Sequence, residues 1–135
     1  MRRHVLGTLA FVVPTFPLGY IWHLVVFESY YASLNVYRDE ILIPFGIVSM
    51  LIQGVIWSFL YSRLFASETV TRGTIKFMTL VTPLALSYLV FVIGAKHQMT
   101  SVSGFAIIET AFTVLHYSIF SPLLALIHAK RTVGT

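Results

Sequence analysis

The sequence predicts an all-α, polytopic membrane protein: four transmembrane helices in one bundle, with both termini on the cytoplasmic side. Three observations carry that expectation. First, the 135 residues are 57% hydrophobic and 10% charged, with a mean hydropathy of +0.85. That is more apolar surface than a soluble domain of this length can bury. Second, the charge-poor runs 5–27, 41–62, 77–95 and 104–129 each approach or exceed the about 20 residues that cross about 30 Å of hydrocarbon. Third, Arg2, Arg3, Arg63, Arg72, Lys76, Lys130 and Arg131 fall on one side of these runs, and Arg38 and Lys96 on the other. The excess of positive charge marks the cytoplasmic side.

Taken in order, the chain opens on Met1-Arg2-Arg3-His4 and an apolar run, the charge pattern of a signal peptide. The run continues to Phe27 with no small-x-small cleavage site, so it is expected to stay as the first span. Pro14 and Pro17 lie within it and free the carbonyls of Ala10 and Val13, which predicts a kink or a short unwound stretch. A packing kink is preferred over the discontinuous helix of a transporter. The connection 28–40 carries Glu28, Asp39 and Glu40, and its Tyr30, Tyr31 and Tyr37 suit a headgroup region where rings are half wet. It is expected to lie on the outer membrane surface.

Pro44 sits at the start of the second span, where its missing N–H costs nothing. Gly46, Ser49 and Gln53 then form a small and polar stripe of the kind that packs closely against another helix in lipid. Pro83 and Pro122 predict kinks in the third and fourth spans. The connections 63–76 and 96–103 are too short to hold a domain, and no linker, low-complexity tract or internal repeat is present. One domain, 1–135, is expected.

Composition also excludes chemistry. The basic residues stand at segment ends and form no patch, which argues against nucleic acid as a partner. The chain has no cysteine, so disulfides, thiolate metal sites, iron–sulfur clusters and thiol catalysis are absent from it.

Two ionisable groups interrupt the fourth span. Seven residues of helix place Glu109 and His116 on one face, about 10.5 Å apart along the axis, with Thr113 between them. Counting from the predicted ends puts His23 about 6 Å from the outer end of the first span and Glu109 at a comparable level, about 7 to 8 Å from the outer end of the fourth. Ser49 falls at a similar depth, with Gln53 and His116 closer to the midplane. The expected contacts are therefore Glu109 with His23, and His116 with Gln53 in a layer below. Ionisable residues at membrane depth usually face a cavity or the interior, so a polar pocket reached from outside is expected. The plainer reading is interhelical glue, worth on average about 0.6 kcal/mol per membrane hydrogen bond. His4 and His128 are expected as interfacial tips and His97 as a solvated loop residue.

A dinuclear carboxylate centre needs four carboxylates and two histidines, and the spans hold one carboxylate. A mononuclear site from His23, Glu109 and His116 is the remaining metal option. A shared haem is disfavoured because His23 and His116 differ in depth by roughly 10 Å. No metal and no cofactor are expected, bound lipid apart.

At Gly19-Tyr20-Ile21-Trp22-His23-Leu24-Val25-Val26-Phe27, with the acidic residue and aromatic run from Glu109 to Tyr117, the chain resembles small bacterial four-span membrane proteins of uncharacterised function. The resemblance implies the architecture above, in the bacterial inner (cytoplasmic) membrane, and carries over no catalytic residue. The leading expectation is a non-enzymatic protein, either an accessory subunit of a larger membrane complex or a small bundle that binds lipid or another ligand. The alternative is an oligomeric proton-coupled transporter using Glu109 with His23 or His116, since four spans rarely enclose a pathway alone. A second alternative is a membrane enzyme on a lipophilic substrate, with Glu109 and a histidine as acid and base. No nucleophile or oxyanion device is visible to support it.

Overall fold

A computed structural model describes residues 1–129. Lys130 and Arg131, two of the charges used for orientation, lie outside them. The described residues are mostly helical, with no strand, and include four helices long and apolar enough to cross a membrane. These are α1 (Arg2–Val26), α3 (Ile43–Leu64), α4 (Val70–Lys96) and α5 (Val102–His128), with a short α2 (Glu28–Leu34) after the first.

Local sequence explains most helix ends. Pro44 occupies the first turn of α3, where no intrahelical donor is lost. Thr69 caps α4 by accepting from the Arg72 backbone N–H at 3.3 Å, and Ser101 caps α5 by accepting from Gly104 N–H at 3.0 Å. α2 stops at Asn35, whose φ of 55° is the left-handed turn that closes a helix. α4 begins seven residues before the expected 77, because Thr69 starts two exposed turns in which Arg72 and Lys76 both pair with Glu68.

Pro14, Pro17, Pro83 and Pro122 all lie inside continuous helices. α1 runs through Pro14 and Pro17 without an unwound stretch, and its irregularity comes afterwards, as a π-helical turn over Trp22–Val26. α4 repeats the pattern, with Pro83 inside the helix and a π-helical stretch over Ser87–Val92. Such widened turns satisfy carbonyls through longer-range bonds, so the helix is distorted without being broken.

α1 packs against α3 and α5, and α4 packs against α5. The buried positions of α1 are Gly7, Phe11 and Thr15, and those of α4 before its π-helical stretch are Gly73, Phe77, Val81 and Ala85. Both sets recur every fourth residue, so each helix offers a narrow stripe. Between them lies a core of Phe11, Trp57, Tyr61, Phe77, Phe120 and Leu124 with their neighbours. Trp57 and Tyr61 reach Phe77 across ring distances of 6.1 and 5.3 Å, which joins α3 to α4 through side chains.

The stripe expected on the second span does not make its contacts. Gly46 faces open space, and Ser49 Oγ accepts from Gln53 Nε2 at 2.9 Å on the same helix. Close approach comes further along, where a Cβ at Gly54 would lie 3.1 Å from the Thr8 carbonyl oxygen of α1. Only Gly54, Trp57, Ser58 and Tyr61 of α3 are buried. In the first half of α3 Met50 alone packs against the core, and its neighbours are exposed.

The connections at the far end are tied together. Thr100 donates its backbone N–H to the Leu34 carbonyl at 3.1 Å and its hydroxyl to the Ser33 carbonyl at 2.7 Å. Within the 28–40 connection most residues are exposed, but Tyr31 and Leu34 are buried where α2 packs on the ends of α1 and α5.

Candidate functional site

Thr15, Gly19 and His23 continue the four-residue stripe of α1 beyond its packed half. Widening of the helix at Trp22–Val26 carries His23 toward α5, where Glu109 sits two turns after the Ser101 cap. His23 Nε2 and Glu109 Oε1 are 3.2 Å apart, with less than a fifth of either side chain exposed. The opposite ring nitrogen, Nδ1, donates to the Gly19 carbonyl at 2.9 Å. Tyr31 donates to the same Glu109 oxygen at 3.3 Å and accepts from Trp22 Nε1 at 3.3 Å.

This arrangement fixes a proton count. A carbonyl only accepts, so His23 must carry hydrogen on Nδ1. The contact between Nε2 and Glu109 then needs one more proton, carried either by the ring as an ion pair or by the carboxyl as a neutral pair. Burial, and then the Glu109 carboxyl beside it, pushes the Tyr31 phenol up from its ordinary value, so Tyr31 stays a donor. Burial likewise pushes up Tyr37, which stacks on Tyr31 at 5.1 Å.

Beside the pair is a cleft of about 710 Å³ between α1, the first half of α3, the 36–43 segment and Glu109 and Phe112 of α5. Its walls are mostly apolar, with Phe16, Leu24, Met50 and Phe112 prominent. Arg38 and His97 stand at its rim. Phe16, Tyr20, Ile41 and Leu42 each keep more than a third of their surface exposed, so the cleft is open to its surroundings.

Of the residues singled out from sequence, Glu109 and His23 meet in this way, and both line the cleft. His116 does not meet Gln53. It is buried, with Nε2 2.6 Å from the Thr15 hydroxyl, among the rings of Phe11, Phe112, Tyr117 and Phe120. The Thr15 hydroxyl is also hydrogen-bonded to the Phe11 carbonyl. Gln53 and Ser49 bond to one another on a largely exposed face. With His116 tied to Thr15, the mononuclear option from His23, Glu109 and His116 loses a ligand, and among the described residues no three His, Cys, Asp or Glu side chains converge on a metal position.

Sequence reasoning missed Tyr31, Tyr37 and Thr15. Thr15 was findable, since it shares the four-residue stripe with Gly19 and His23. The tyrosines were not, because nothing local tells a ring that caps a buried carboxyl from one at an interface.

A second polar group lies at the opposite end. His128 is 2% exposed, with Nε2 2.9 Å from Ser58 Oγ, and Ser58 is 3.5 Å from His4 Nδ1. His128 is therefore no interfacial tip. A Cβ at Gly7 would overlap Ser58 and lie 2.8 Å from His128 Nε2. No protein-family model, curated protein or solved structure matches this chain.

Proposed function

We propose that this chain is a small multi-pass membrane protein that binds one amphipathic ligand in the cleft, with the His23–Glu109 pair anchoring its polar end. It rests on one observation, that a hydrogen-bonded His23–Glu109 pair stands at the edge of an open, largely apolar cavity of about 710 Å³. Ligand pockets of roughly 300–1,000 Å³ combine apolar walls with a few convergent polar groups. Ionisable residues at membrane depth face such cavities because their hydration or pairing must be supplied there. Glue between α1 and α5 alone would need no cavity beside it.

The proposed setting is the bacterial inner membrane, with both termini cytoplasmic. Arg2, Arg3, Arg63, Arg72 and Lys76 lie at the helix ends remote from the cleft, which supports that orientation. In it, the cleft opens toward the outer leaflet. The His23–Glu109 contact beside the cleft supports one further reading, a proton-coupled carrier assembled as a homo-oligomer, in which ligand and proton move together.

Native mass spectrometry of the chain extracted from its own membrane is expected to retain one amphiphile. Gly46→Trp should displace it with little change in melting temperature, because a Cβ at Gly46 meets nothing within 4 Å. A wild-type chain that carries nothing, or a Gly46→Trp chain that keeps its ligand, would sink the proposal.

A further inference from the structure

We infer that the ligand is a single-chain amphiphile with an anionic head group, which Arg38 holds at the rim of the cleft. This deepens the ligand-binding reading and rests on it. The charge inventory of the cleft points that way. Arg38 is exposed at the rim and permanently charged, and the ion pairs among the described residues are His23–Glu109, Arg72–Glu68 and Lys76–Glu68, none of which includes it. His97 joins it at the rim, with Nδ1 donating to the Ile93 carbonyl at 3.2 Å, so its other nitrogen is the one left for a ligand. Tyr20 and Tyr37 add phenol donors. Against these stands one carboxyl, Glu109, already held by His23 and Tyr31.

A guanidinium with neutral donors around it suits a carboxylate, sulfonate or phosphate head, which it grips through paired N–H groups. A cationic head would meet Arg38 at the rim and find the only carboxyl occupied. Below the rim, Phe16, Leu24, Met50 and Phe112 offer an apolar wall for a tail. The volume of about 710 Å³ lies in the range that encloses one drug-sized molecule, hence one acyl chain and not two.

The test uses the full-length chain in nanodiscs of uncharged net composition, titrated with decanesulfonate and with decyltrimethylammonium, whose head charges do not change with pH. Isothermal titration calorimetry measures both affinities. The expected result is decanesulfonate binding at least about tenfold tighter than the cation, and Arg38→Gln should bind decanesulfonate at least about tenfold more weakly than wild type. Equal or tighter binding of the cation, or an Arg38→Gln chain that binds decanesulfonate as tightly as wild type, would overturn the inference while leaving the ligand-binding reading intact. Displacement of decanesulfonate by phosphatidylglycerol in the disc would overturn the single-chain assignment. If neither amphiphile binds, the ligand-binding reading itself falls.

Discussion

Glycine does opposite things in the packed core and beside the cleft of this molecule. At the end where the chain begins, Gly7 and Gly54 let α1, α3 and α5 approach until backbone and side chains touch. Ser58 and His128 fill the space a Gly7 side chain would need, and Phe11, Trp57, Phe77 and Phe120 interlock behind them. At the other end Gly104 is packed tightly too, with the Tyr30 hydroxyl 2.7 Å from where a Cβ would sit, but beside the cleft Gly46 has nothing within 4 Å and Gly19 meets only Phe112, at 3.9 Å. There the missing side chains leave room. In lipid, where apolar surface has no water to escape, helices associate through close packing and interhelical hydrogen bonds. Concentrating that packing away from the cleft leaves room for a cavity.

Substituting the two kinds of glycine is the strongest way to break this comparison. Gly7→Leu forces a side chain into Ser58 and His128 and is expected to cost about 1–3 kcal/mol or more, as overpacking does. Gly46→Leu projects into the cleft and should stay within about 0.5 kcal/mol of wild type. Melting temperatures of both variants in the same detergent decide the matter. Equal losses would mean that the two places are packed alike.

A middle-sized effect separates ligand chemistry from glue. Glu109→Gln keeps the shape of the side chain and can still accept from Tyr31. It should destabilise by about 0.6 kcal/mol, and by no more than about 1.7, the range of hydrogen bonds measured in membrane proteins. Reversible unfolding in mixed micelles measures it. A loss of several kcal/mol would move Glu109 from the cleft to the packing framework, and the contrast between core and cleft would blur.

The reach of the sequence divides along the same line. Four long apolar runs were legible because each span satisfies its own backbone and must be long enough to cross the bilayer. Depth counting brought Glu109 level with His23, because rise per residue is a local property. It paired His116 with Gln53 wrongly, because rotation about the axis is set by packing. α1 presents Thr15 at that level, while on α3 Gln53 is turned to Ser49. His128 was read as an interfacial tip from its place near the chain end. Its burial depends on Gly7 and Ser58, two residues on other helices that no local pattern connects to it.

The smallest expected effect lies at the packed end, outside the spans, where α4 begins. Glu68 Oε1 accepts from Lys76 Nζ at 2.5 Å and Oε2 faces Arg72 Nε at 3.2 Å. The Lys76 hydrogen bond, aided by both positive charges, holds the Glu68 carboxyl below its ordinary value of 4.5. A carboxyl lowered in this way stabilises the folded chain fully above 4.5 and loses that contribution as pH falls through the depressed value. The stabilisation of wild type over Glu68→Gln should therefore be present near neutral pH and fade only in acid. It should also shrink as salt is raised, because the pair is at the surface and screened. Melting curves of both proteins across pH and salt measure it. A difference that persists in acid and high salt would mean that Glu68 holds the start of α4 by shape rather than charge, extending the tight packing of Gly7 and Gly54 beyond the membrane.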